Sequence, residues 1–152
     1  MLKKNTIAAA VISIILSIFA FIFNIFAFYL FLVVGAFVSL GASESAFIID
    51  VVLILVGALV IFAVILFAIS IGVANKTKKA EEFTATKKLL ITFIIFAVLV
   101  ALINLIIGIL VIESVIGWFY ILFALIYALS AGLIISDLIK NSKMTGNDKI
   151  VE

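Results

Sequence analysis

Few side chains in this sequence can do chemistry, and those few sit inside or at the edges of long apolar runs. Asn24 and Asn104 are isolated amides among Ile, Phe, Leu and Ala. An amide in such a setting can bond across helices, typically for about 0.6 kcal/mol and at most about 2, or it can hold a polar ligand or ion. Two neutral amides alone are a poor coordination set for a cation. Bonding between helices is therefore the preferred reading, with both side chains turned into the protein. Asp50 and Asp137 are the acids nearest the apolar runs. An ionisable group inside a membrane span is a functional candidate by default. Each of these two, however, lies close enough to the end of a run to reach water, and Asp50 could also cap the start of a helix. Solvation at the end of a span is the expectation for both. Asp50 buried beside Asn24 or Asn104 would instead make a proton or cation site. Tyr127 and Tyr29 need a hydroxyl partner or a route to water.

Much chemistry is excluded. The chain has no Cys and no His, and all ten of its basic residues are Lys. Disulfides, thiolate nucleophiles, zinc sites and imidazole acid–base catalysis have no residues to carry them. Bidentate guanidinium clamps on phosphate or carboxylate are missing for the same reason. No phosphate-binding glycine loop and no nucleophile–base pair occurs. Two acids at one depth could cleave a bond within a membrane, but Asp50 and Asp137 belong to opposite faces. The expectation is a protein that is not an enzyme and needs no cofactor and no metal.

The elements that must position these residues follow from composition. The 152 residues are 68% hydrophobic and only 12% charged. A soluble domain is about 45–50% apolar and about 25% charged, and a chain this short buries only about 70% of its unfolded surface. The excess apolar surface belongs in lipid. Uncharged runs cover residues 5–43, 51–75, 89–112 and 114–136, and a helix crosses the hydrocarbon core in about 20 residues. The first run is too long for a cleaved signal peptide, whose apolar region is about 7–15 residues. The sequence thus predicts an all-α, integral membrane four-helix bundle running up-down-up-down. Its spans fall at about 6–34, 47–74, 88–112 and 116–139, within a single domain over 1–139. A short polar tail follows over 140–152 and is expected to fray.

The lysines give this bundle a direction. Lys3 and Lys4 precede the first span; Lys76, Lys78, Lys79, Lys87 and Lys88 lie between the second and third; Lys140, Lys143 and Lys149 follow the fourth. With four spans all ten fall on one side, which the positive-inside rule makes cytoplasmic. The opposite loops hold Glu44 and Glu113, with Asp50 nearby. The expected location is the cell membrane, with both termini cytoplasmic. Trp118 and Tyr120 open the fourth span at headgroup level, where aromatic side chains anchor. Lys76, Lys78, Lys79, Lys87 and Lys88 are the residues expected to meet anionic lipid, at about 1 kcal/mol each near the surface, or else a cytosolic partner. The net charge of +2 gives no reason to expect nucleic acid.

Lipid tails are as apolar as leucine, so small and polar residues, not burial, hold such helices together. The first span carries them as one stripe: Thr6, Ala10, Ser13, Ser17, Ala20, Asn24 and Ala27, spaced alternately four and three apart. The third has Ala97, Ala101, Asn104 and Gly108. The fourth has Ala124, Ala128, Gly132 and Ser136 at strict four-residue spacing, which is the candidate for an outward packing face toward a second copy or another membrane protein. Gly57, Ala68 and Gly72 on the second form a looser set.

The layout is that of many four-span families, but their marks are missing. The large cysteine-bearing second outer loop of tetraspanins is absent, as are the claudin cysteine pair and the first-span Glu of small multidrug transporters. The leading expectation is a non-catalytic accessory, scaffolding or immunity-type subunit that works in the lipid bilayer through helix packing faces. The alternative is a small oligomeric transporter or channel, its path lined by Asp50, Asn24 and Asn104.

Overall fold

In hydrocarbon, every backbone N–H and C=O must be paired within the chain, so apolar runs of this length fold as helices. Among the described residues, the computed structural model contains four: α1 (Lys4–Ser39), α2 (Glu44–Lys78), α3 (Phe83–Leu110) and α4 (Val115–Val151). It describes residues 4–39, 44–78 and 83–151, with side chains over 5–37, 47–77 and 87–141. Each helix is long and apolar enough to cross a membrane, over Asn5–Phe37, Phe47–Thr77, Lys87–Leu110 and Val115–Asn141.

The helices outrun the expected boundaries. Without proline, nothing stops α1 at Gly35, and it continues to Ser39. α2 begins at Glu44, so Asp50 lies well inside it and is not its cap. α4 carries on to Val151, so the stretch expected to fray as a polar tail is helical. Lys79 lies outside the described residues, as does the side chain of Lys78.

Contacts join α1 to α2, α2 to α3, α3 to α4 and α4 back to α1, with none across either diagonal among the described residues. The helices therefore stand at the corners of a square. Neighbours run antiparallel, as the paired contacts show: Ser13 with Ser70 and a Cβ on Gly35 with Ile49 for α1 and α2, and Thr6 with Asp137 and Asn24 with Tyr120 for α1 and α4. The α1–α2 seam is the most extensive and the α1–α4 seam the least.

All seven residues of the α1 stripe are buried, and they face Val52, Val56, Leu59, Leu66 and Val73 of α2 and Tyr120, Tyr127 and Ile134 of α4 around the common core. The turn at 111–114 is tight because Ser114 caps α4. Its backbone carbonyl and hydroxyl accept from the Gly117 N–H at 3.1 and 3.3 Å, and its own hydroxyl donates to the Val111 carbonyl at 2.8 Å. Gly108 and Gly117 make room for this. A side chain on Gly117 would collide with the Val111 carbonyl, and a Cβ on Gly108 would come within 2.6 Å of Ile121 Cγ1.

Candidate functional site: a polar seam between the first and last helices

Most of the buried polar side chains among the described residues lie along the seam between α1 and α4, while Ser70 and Thr77 belong to α2 and Asn104 to α3. At the lower end of the seam, Asp137 Oδ2 accepts two hydrogen bonds from Thr6, one from the backbone N–H at 2.8 Å and one from the hydroxyl at 2.7 Å. Both residues are buried. The Thr6 N–H belongs to the first turn of α1, whose leading N–H groups have no partner within the helix. A carboxyl from α4 supplies that partner and faces the positive end of the α1 dipole. Solvation at the span end was the expectation for Asp137, and the structure corrects it. The depth is as expected, but the residue lies on the inward face of α4, where α1 shields it.

Three further levels follow. Ser13 and Ser70 are joined at 3.0 Å, and the Ser70 hydroxyl also lies 2.6 Å from the Leu66 carbonyl. Ser130, level with Ser13, donates to the carbonyl of Ile126 at 3.0 Å. Ser17 Oγ and the Tyr127 hydroxyl are 3.4 Å apart, a long contact. Higher still, the Tyr120 hydroxyl donates to Asn24 Oδ1 at 2.8 Å. Phe23 packs edge-on against Tyr120 and Phe123, at 5.4 and 5.3 Å between ring centres. Tyr120 is fully buried and does not anchor at the headgroups, which corrects its expected place. Trp118, two residues before it, is exposed at 61%.

Asn104 stands apart. It is buried, its Nδ2 donates to the Val100 carbonyl at 2.8 Å, and its Oδ1 has no partner. The helix registers put it near the height of Asn24 and Tyr120, on the corner diagonal to α1.

The remaining expected residues are dispersed. Asp50 is exposed and lies about 200° around α2 from buried Val52, taking 100° per residue. It faces away from the core, so Asp50, Asn24 and Asn104 are not brought together along one path. Tyr29 is exposed. Lys76 is half-buried, while Lys87 and Lys88 are exposed. On α4, Ala124 is buried and Ser136 half-buried, but Ala128 and Gly132 face outward, and a Cβ on Gly132 would meet nothing within 4 Å.

Two grooves flank the seam on the outer surface. One of about 430 Å³ runs between α1 and α4 and is lined by Ile12, Phe19, Phe119 and Leu122 among others. The other, of about 280 Å³ between α1 and α2, is lined by Ile18, Phe21, Val64 and Phe67, with Ser17 at its floor. Asn24, Asn104 and Asp50 line neither.

Sequence reasoning missed Ser70, Ser130 and the inward roles of Tyr120 and Asp137. A signal was present. Tyr120, Tyr127, Ser130 and Asp137 are spaced 7, 3 and 7, which marks one face of a helix. That face complements Asn24, Ser17, Ser13 and Thr6 level by level. No family model, curated protein or solved structure matches the chain.

Proposed function

We propose that this protein is a non-catalytic membrane subunit that works by packing against another membrane protein, in the cell membrane with both termini cytoplasmic. The lysine distribution supports that orientation. The observation that carries the role is the outward position of Ala128 and Gly132, the middle two residues of the α4 ladder, while Ala124 is buried and Ser136 half-buried. The small-residue stripe of α1 is spent inside the bundle, whereas Ala128 and Gly132 present a backbone-level surface with open space before it. Within lipid, such a surface is what lets a second helix approach closely.

The transport alternative draws less support, because Asp50 faces away from the amides and neither flanking groove reaches them. The test is native mass spectrometry of the protein drawn from its own membrane in a gentle mimetic, as wild type and as Gly132→Leu. A second protein that binds reproducibly to the wild type and is lost from the variant supports the reading. A complex unchanged by Gly132→Leu removes α4 from it. An oligomer that retains a small molecule would move the assignment to transport.

A further inference from the structure

The first two helices are too long for the rest of the bundle. Among the described residues, the last fully buried side chain of α1 is Ala27, with Phe31 half-buried against the core one turn on, and the first fully buried one of α2 is Val52. The pairs Thr6–Asp137, Ser17–Tyr127 and Asn24–Tyr120 put Val115, where α4 starts, roughly level with residue 29 of α1. About ten residues of α1 therefore stand beyond the α3–α4 turn, about 15 Å at 1.5 Å per residue. The start of α2 stays packed against them, since a Cβ on Gly35 would lie 3.1 Å from Ile49 Cγ2.

This tip does not fit in the bilayer with the rest. The α3–α4 hairpin is one membrane thick, with Lys88 and Lys140 at one end and Glu113 and Trp118, all exposed, at the other. Sinking the tip into hydrocarbon would drag Glu113 about 15 Å below the headgroups, where a carboxylate is costly. The tip therefore projects above the membrane, yet its surface is that of a membrane span. Phe37 and Phe47 are 74% and 73% exposed, with Leu32, Val33 and Val34 beside them, and Tyr29, level with the start of α4, is 69% exposed at its foot. The two Phe side chains of the tip, about 150–250 Å² each and exposed to this degree, leave on the order of 300 Å² of ring uncovered. On the outward side of α1, Phe37 and Val33 continue downward into Tyr29, Phe26 and Ile22, all exposed, and that side as a whole approaches the roughly 800 Å² per partner of a stable interface.

We propose that a second copy of this chain covers the tip, in a parallel pair related by a two-fold axis along the bundle, α1 against α1. Below the headgroups, apolar faces gain nothing by leaving lipid; above them the same face is driven to find cover. A partner must present an apolar surface at the same height above the same membrane face, and a second copy does so by construction. Charge selects the helix. α1 carries none beyond Lys4, whereas pairing through the outer face of α2 would bring Asp50 toward its own copy. Ile22, Phe26, Tyr29, Val33 and Phe37 recur along the outward side of α1, all exposed, and supply a self-complementary stripe.

The chain lacks cysteine, so single-cysteine variants are clean probes. Val33→Cys, and Leu125→Cys on the exposed face of α4 as control, are oxidised in native membranes and in dilute lipid vesicles. The expected result is a disulfide dimer for Val33→Cys and little for Leu125→Cys. Phe37→Lys placed in the Val33→Cys background should weaken pairing about 10–30-fold. Wild-type stoichiometry, by single-molecule photobleaching in vesicles, should be two. A monomeric wild type, a Val33→Cys product joined to a different protein, or a dimer indifferent to Phe37→Lys each overturns the proposal. The α4 reading fails independently, because Gly132→Leu leaves this face untouched.

Discussion

Replacing Asp137 by Ala tests whether the lower end of the α1–α4 seam is a structural clasp. The substitution removes an acceptor that holds the Thr6 N–H at 2.8 Å and the Thr6 hydroxyl at 2.7 Å. Hydrogen bonds between membrane helices average about 0.6 kcal/mol each and reach about 1.7, which gives about 1–3 kcal/mol for the pair. The carboxyl also sits at the start of α1, where a negative charge adds about 0.3–1 kcal/mol. The expected loss is therefore about 2–3 kcal/mol, within a wider bound of about 1–4. Reversible unfolding in mixed micelles measures it, for Asp137→Ala, Thr6→Val and the double variant. Thr6→Val keeps the N–H, so it should cost less than Asp137→Ala, and the cycle should show clear coupling. Asp50→Ala, on an exposed site of similar chemistry, should change nothing measurable. Asp137→Ala indistinguishable from wild type, or strict additivity with Thr6→Val, would refute the clasp.

The other outcomes follow from the same geometry. Tyr120→Phe leaves Asn24 Oδ1 without its donor and should cost about 1 kcal/mol in the same unfolding assay; an unchanged midpoint would show that the bond contributes nothing. Asn104→Leu removes a buried oxygen that has no partner together with the local Nδ2 bond to the Val100 carbonyl and should be neutral or stabilising by about 1 kcal/mol, so a marked loss of stability would mean that the amide contributes more than it costs to bury. Gly117→Val puts a side chain against the Val111 carbonyl and should destabilise the hairpin by about 1–3 kcal/mol, read as faster proteolysis at the 111–114 turn; wild-type resistance would contradict the close approach.

Much of the fold was legible because lipid allows few solutions. Uncharged runs longer than a bilayer must be helices, and the Glu113 turn separates two of them. The α1 stripe was legible for the same reason: small and polar residues at alternating spacings of four and three have one physical use in lipid, and all seven are buried. Asp137 and Tyr120 were misplaced because distance along a helix gives depth but not direction. Both lie at the expected height and point inward. Direction is set by what packs opposite, and that is visible only when the α4 spacing is laid against α1. The tip of α1 and α2 was obscured differently. The first span was expected to close at about residue 34, just before Gly35, although glycine alone does not end a helix that its neighbours continue to support.

The seam itself explains why those polar residues are placed as they are. Along α1 and α4 the polar positions advance in step, Thr6 with Asp137, Ser13 level with Ser130, Ser17 with Tyr127 and Asn24 with Tyr120. In lipid, apolar contacts are nearly indifferent to which helix supplies them and at what height. The α1–α4 seam is also the least extensive of the four, and it must close a ring between the first and last helices of the chain. A shift of one residue along it would rotate one partner of every pair by about 100° and leave several polar groups facing hydrocarbon at once. The large penalty thus falls on wrong registers, while the correct one gains only modestly. A single buried pair could be matched by chance in a slipped arrangement; four levels at the spacing 7, 4, 7 on one helix and 7, 3, 7 on the other admit one antiparallel alignment.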